Sequence, residues 1–231
     1  QHALAVVAEH RPSVVLLPSP NNPTGTALPQ ETVTALCAAV QDVGGVVVVD
    51  EAYGEFRRTG TPSALELLPR TPNLAVSRTM SKAFALAGAR LGYLAASREL
   101  TDALRVVRLP YHLSAVTQAV ARVALRHADE LLARVDDLRA ERDRTVAWLR
   151  QQGLRVADSD ANFALFGVLE DRQAVWQGLV DRGVLVRATG PDGWLRVSIG
   201  TPEEMSCFRE ALTDVLRTAT TGAPRAEGAM R

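Results

Sequence analysis

Two short runs, Val14-Val15-Leu16-Leu17 and Gly45-Val46-Val47-Val48-Val49-Asp50, are almost wholly apolar, and the segment between them is built differently. From Pro29 to Val43 apolar residues recur at helical spacing, with Pro29 early and Gly44 just past the end. Apolar runs of that length match strands buried on both faces, so strand, helix and strand make a βαβ unit with a parallel sheet. This constrains the chain more than any other feature. Asn73–Ser77 and Arg90–Ala95 continue the pattern as two further strands, Ser114 to Arg126 as a helix, and Leu131 to Gln151 as a longer one. Ala3-Leu4-Ala5-Val6-Val7 also reads as helix. Beyond it the strands shorten. Arg155–Ala157, Asn162–Phe166, Val184–Arg187 and Leu195–Ile199 alternate with helices near Ala174–Arg182 and Pro202–Thr218, a smaller α/β unit. The expected division is 1–140, 141–219 and a tail, 220–231, too rich in Gly, Ala and Pro to fold.

Composition excludes several functions. Lys and Arg total 26 against 26 Asp and Glu, which speaks against nucleic acid or an anionic membrane as the main partner. No run approaches the ~18 apolar residues of a membrane span, and no signal peptide is visible, so a cytoplasmic, small-molecule protein is expected. Cys37 and Cys207 sit in apolar helical patterns and read as buried free thiols. The histidines, His2, His10, His112 and His127, show no metal-ligand spacing, and no metal is expected. The chain opens on Gln1 inside a helical pattern, which suggests a truncated or processed start.

In open α/β sheets ligands lie beyond the carboxyl ends of the strands. Asn22, in Ser19-Pro20-Asn21-Asn22-Pro23-Thr24-Gly25, follows the first strand; Asp50 ends the second; Thr79-Met80-Ser81-Lys82 follows the third. Each has a plain alternative: Asn22 a turn residue, Asp50 a helix cap, Tyr53 a half-buried core tyrosine, Lys82 a surface lysine, Thr79 and Ser81 caps of a helix over Lys82–Ala87. Their coincidence on one edge of one sheet is what gives them weight.

Asn22-Pro23-Thr24-Gly25, Asp50-Glu51-Ala52-Tyr53, and Ser81-Lys82 with Arg90 eight residues on resemble the fold-type I aminotransferases that use pyridoxal 5'-phosphate. The fuller motifs VVDEAYGEF, SRTMSKAFALAGARLGY and LRVSIGTPEEM resemble the histidinol-phosphate aminotransferases among them, in their actinobacterial form, from about Ser13 to Leu216. The resemblance implies a mostly parallel sheet flanked by helices, here an incomplete large domain holding the cofactor, and a small C-terminal α/β domain. It makes Lys82 the Schiff-base lysine and proton carrier, because among side chains only an amine forms an imine with an aldehyde. Asp50 would pair with the pyridine nitrogen, while Asn22 and Tyr53 would donate to the ring 3-oxygen. Thr79, Ser81 and Arg90 would grip the phosphate. In the smaller unit Arg196, opposite in face to Leu195 and Val197, and Arg187 would bind the substrate phosphate or carboxylate, with Asn162 lining the pocket. For both arginines a solvated strand face is the alternative, and for Asn162 a strand-edge position.

The implied reaction is amino transfer between L-histidinol phosphate and 2-oxoglutarate by a ping-pong route in a homodimer. An aromatic amino-acid aminotransferase, a threonine-phosphate decarboxylase and a non-catalytic remnant are the competing readings. The resemblance starts in mid-domain. The family's Gly-rich helix start, its ring-stacking aromatic residue and its tyrosine reaching across the dimer have no counterpart here, which implies an uncovered sheet edge and impaired activity of this chain alone.

Overall fold

The computed structural model describes residues 1–221, which divide into two compact units. The first comprises Gln1–Arg139 and Asp158–Asn162; the second comprises Ala140–Ala157 and the residues from Phe163 onward. No helix among the described residues is long and apolar enough to cross a membrane.

In the first unit β1 (Val14–Pro18), β2 (Val46–Asp50), β3 (Leu74–Thr79) and β4 (Gly92–Ala96) form one sheet in that order. β1, β2 and β3 run parallel, with Pro18 opposite Asp50 and Asp50 opposite Ser77. β4 runs antiparallel to β3, pairing Gly92 with Thr79, so its start lies at the edge where β3 ends. That reversal brings Arg90 to the carboxyl edge of the parallel strands.

The helix α1 (His2–His10) packs on α2 (Gln30–Gln41). α2 starts one residue after Pro29, whose extended ψ of 140° places it just outside the helix. Gly44, at φ +78°, turns the chain out of α2 in a conformation that side chains with a Cβ avoid. Val33, Leu36, Cys37 and Val40, at helical i, i+3, i+4, i+7 spacing, form the buried face of α2 in one core with Val47, Val49, Leu74 and Val76. Each fully buried Val or Leu contributes about 1.5–3 kcal/mol, so this face is the main fastening of the helix.

Two connections escaped the sequence reading. Ser63 caps a seven-residue 3-10 segment (Ala64–Arg70) with a full capping box, Ser63 N–H donating to Glu66 Oε1 and Leu65 N–H to Ser63 Oγ. The helix α3 (Arg98–Val107) begins at Ser97, whose Oγ accepts from Leu100 N–H, and it buries none of its residues. α4 (Ala115–Arg126) and α5 (Ala128–Gln151) follow. Met80, Ala83 and Phe84 pack with Phe56, Ala121 and Val135 in a second core beneath the turn that carries Lys82.

The second unit has an antiparallel sheet, β5 (Arg155–Val156), β6 (Phe163–Gly167) and β7 (Leu195–Ser198), with β6 central. The helices α6 (Arg172–Val180) and α7 (Pro202–Thr221) pack together, and a Cβ on Gly178 of α6 would meet Val215 Cγ2 at 2.9 Å. Phe208 of α7 makes edge contacts with Trp148 and Phe166, centroids 6.2 and 5.8 Å apart.

Two expectations are corrected. Val184–Arg187 is not a strand but a single bridge, Arg187 to Arg196, because the chain leaves Gly183 at φ +77° and reaches only one ladder position. Cys207 is exposed, since the buried face of α7 runs through Met205, Phe208, Ala211, Leu212 and Val215 and residue 207 points off it; Cys37 is buried as expected. The alternative of a helix over Lys82–Ala87 capped by Thr79 and Ser81 falls away, since the segment forms turns that lead into a 3-10 turn at Ala87–Ala89. Of the tail expected over 220–231, residues 220 and 221 end α7 and the rest lie outside the described residues.

Candidate active site

The loop after β1 closes through Asn21. Asn21 N–H donates to Thr26 O, Gly25 N–H to Asn21 O at 2.7 Å, and the Asn21 side-chain amide to Thr24 Oγ1 at 2.8 Å. Gly25 sits at φ +79°, where a Cβ would come within 2.4 Å of Ser159 Oγ. Asn21 is thus the turn-forming residue of the pair, and Asn22 is left exposed at the sheet edge.

Asp50 is the last residue of β2 and is exposed. Its Oδ1 accepts from Ala52 N–H and from Ser77 Oγ, each at 3.1 Å. Three residues on, half-buried Tyr53 leads the chain into a 3-10 turn (Gly54–Phe56). Lys82 Nζ stands 5.6 Å from the centroid of the Tyr53 ring, within the reach of a cation–π contact. Lys82 follows β3 through a tight turn in which Thr79 Oγ1 accepts from Ser81 N–H at 3.1 Å and donates to Leu91 O at 3.3 Å. Arg90, in left-handed conformation at φ +50°, leads into β4 and donates from Nη1 to Ala87 O at 3.0 Å. Asn22, Asp50, Tyr53, Thr79, Ser81, Lys82 and Arg90 therefore all stand at or just beyond one edge of one sheet, where the register sets the ends of β1, β2 and β3 and the start of β4 side by side.

Beneath this edge lies a buried charge cluster that the sequence reading passed over. Glu51, 2% exposed, accepts from Ser63 Oγ at 2.8 Å and Ala64 N–H at 2.7 Å, and pairs with Arg78 Nη2 at 2.6 Å. Arg78 also binds Glu55 at 2.9 Å, and its guanidinium runs against Gly54 so closely that a Cβ there would meet Cζ at 2.9 Å. Burial alone would weaken the positive charge of Arg78, but Glu51 and Glu55 more than offset it and raise its pKa above the ordinary arginine value. A polar residue straight after a buried strand, and an arginine one residue before a strand's end, were the available signals. The cluster ties the turn carrying Tyr53 to the strand leading to Lys82.

A second tie is Asp160, 3% exposed, on the returning segment Asp158–Asn162. It accepts from Arg58 N–H at 2.8 Å, Arg58 Nη2 at 3.1 Å and Thr61 Oγ1 at 3.0 Å, and its own N–H donates to Gly25 O at 2.7 Å. The loop of Asn22 and the loop after Tyr53 are thus joined through one residue. Asn162, half-buried, ends the same segment.

In the second unit Arg187 and Arg196 face each other across a two-bond bridge, Arg187 N–H to Arg196 O at 3.0 Å and Arg196 N–H to Arg187 O at 2.8 Å. Directly paired residues of an antiparallel bridge project to the same side. The Arg196 guanidinium lies 4.7 Å from the Phe163 ring centroid, while Leu195 and Val197 are buried, as the alternation requires.

The model of the family described as Aminotransferase class I and II matches residues 1–212, and the chain belongs to that family. Within it, the sequence is 69% identical over 210 residues to the histidinol-phosphate aminotransferase of Thermobifida fusca, covering 91% of this chain and 56% of the relative. It is 62% identical over 218 residues to that of Frankia casuarinae, covering 94% and 55%. Among solved structures, histidinol-phosphate aminotransferase from Sinorhizobium meliloti in complex with pyridoxal-5'-phosphate matches with a TM-score of 0.82 at 30% identity, over 94% of this chain and 60% of that one. The chain spans a little over half the length of the curated relatives it matches.

Proposed function

We propose that the chain carries the cofactor-holding edge and the anion-binding arginine pair of a pyridoxal-phosphate-dependent aminotransferase acting on L-histidinol phosphate and 2-oxoglutarate. The observation that carries the proposal is the gathering of Asn22, Asp50, Tyr53, Lys82 and Arg90 on one sheet edge by the strand register. The donor set fits the group: an amine for the aldehyde, a carboxylate for the ring nitrogen, an amide and a phenol for the ring oxygen, and hydroxyls with a guanidinium for the phosphate. Pyridoxal phosphate supplies an electron sink that makes the substrate's Cα–H acidic. Lys82 would hold the cofactor at its aldehyde, and its amine would carry the proton taken from the substrate's Cα. Tyr53, whose ring lies 5.6 Å from Lys82 Nζ, would hold the ring oxygen with Asn22 and limit where the amine can go. Asp50 would keep a proton on the ring nitrogen. Thr79, Ser81 and Arg90 would bind the cofactor's phosphate.

For the substrate, paired Arg187 and Arg196 offer two guanidinium forks on one side of their bridge. Two forks suit a phosphate dianion in one half-reaction and a keto-acid carboxylate in the other. Sequence identity of 69% and 62% to histidinol-phosphate aminotransferases favours this substrate over an aromatic amino acid or threonine phosphate. The test is a single-turnover half-reaction of the cofactor-loaded protein, expressed from its complete reading frame, with each donor in turn. Histidinol phosphate is expected to convert the cofactor to its amine form with a kcat/KM at least about tenfold above that of phenylalanine, and Arg196→Ala to cut the advantage by about 10- to 100-fold. Preference for phenylalanine, or an Arg196→Ala effect equal for both donors, contradicts the substrate assignment.

A further inference from the structure

β3 is apolar through Leu74, Ala75 and Val76 and then changes character at Ser77, at the register position opposite Asp50. Partners in a parallel ladder point to the same face, so Ser77 and Asp50 share the face away from the α2 core, where Val47, Val49, Leu74 and Val76 are buried. On its other side Ser77 is paired with Leu94, which offers no polar atom. The hydroxyl donates instead to Asp50 Oδ1 at 3.1 Å, and Ala52 N–H reaches the same oxygen at 3.1 Å. Two donors on Oδ1 fix the carboxylate's plane from two directions and leave Oδ2 with acceptor capacity to spare.

We infer that Ser77 is a positioning residue for Asp50: its hydroxyl, with the Ala52 amide, holds one carboxylate oxygen so that the other is presented to the cationic ring nitrogen of a bound pyridoxal phosphate. This rests on the proposed role of Asp50. Ser77 touches no reacting atom; it acts by removing the rotational freedom that a carboxylate at an exposed strand end otherwise keeps. A strand residue of the same length without a donor would serve the sheet equally well and leave Asp50 with one tether.

The experiment compares the affinity of the cofactor-free protein for pyridoxal 5'-phosphate and for its 1-deaza analogue, in which carbon replaces the ring nitrogen, by fluorescence titration. The parent is expected to bind the analogue more weakly, and Asp50→Ala to abolish that discrimination. Ser77→Ala is expected to weaken pyridoxal phosphate about three- to tenfold while leaving the analogue unchanged, and Ser77→Thr, which keeps the hydroxyl, to restore the parent's ratio. If Ser77→Ala does not fold, Ser77→Cys takes its place, since a thiol is similar in size and a weak donor. Equal weakening of both ligands, or of neither, overturns the role of Ser77 while leaving Asp50's intact. Discrimination that survives Asp50→Ala overturns the reading of Asp50 itself, and the inference with it.

Discussion

Lys82 is the only lysine in the chain; every other basic side chain outside the histidines is an arginine. Guanidinium groups do not condense with aldehydes under mild conditions, so the covalent chemistry open to this protein through a side-chain amine rests on one residue. At this scale most of the candidate site was legible, because Asn22, Asp50, Tyr53, Lys82 and Arg90 occur in order at strand ends that the apolar runs mark out. What was not legible was the division of labour between neighbours. Asn21 and Asn22 are alike in sequence, and only the bonds of Asn21 to Thr24, Gly25 and Thr26 separate the turn residue from the exposed one. Cys207 was misread for a similar reason, since it sits between the buried residues of α7 in sequence and off their face in space. Burial pushes the Cys37 thiol up to about 11 and hides it, whereas Cys207 is open to solvent. Iodoacetamide on the native protein is therefore expected to modify Cys207 and spare Cys37 until denaturant is added; mass spectrometry of the two peptides reads the result, and early labelling of Cys37 would contradict the packing of α2.

Strands and long helices were readable at the scale of elements because their signals are local: apolar runs for β1 and β2, helical spacing for α2 and α5. The connections were less readable because what holds them lies far off in sequence. Glu51 is fixed by Ser63 and Arg78, and Asp160 reaches back about a hundred residues to Arg58 and Thr61. Single β-bridges such as Arg187 to Arg196 depend on a partner that the short run Val184–Arg187 cannot announce. The Asp160 tie has a pH signature. Burial would raise its carboxyl, but the bonds from Arg58 and Thr61 outweigh burial and hold it below the usual carboxylate range. A folded value below the unfolded one, about 3.9, means stability present above that value and lost as pH falls through the folded one. Asp160→Asn is expected to cost about 1–3 kcal/mol at neutral pH in urea denaturation, with the gap to the parent closing as the carboxyl protonates. A gap that stays constant into acid would show that the charge of Asp160 plays no part.

For the molecule as a whole, residues 1–212 match one family, and the two units divide the candidate chemistry between them. Asn22 through Arg90 lie in the first; Arg187 and Arg196 lie in the second. The fold class was legible from βαβ spacing before any comparison, while the antiparallel course of β4, which starts that strand at the edge where β3 ends, was not, because strand direction leaves no mark on a five-residue apolar run. Covalent trapping asks whether this edge holds pyridoxal phosphate through Lys82. Protein incubated with pyridoxal 5'-phosphate is reduced with borohydride, digested and mapped by mass spectrometry, with the N-terminal amine as the internal comparison. Stoichiometric phosphopyridoxyl addition is expected on the peptide containing Lys82, and its loss in Lys82→Ala. Addition confined to the N-terminal amine, or absent from Lys82 at saturating cofactor, would contradict it.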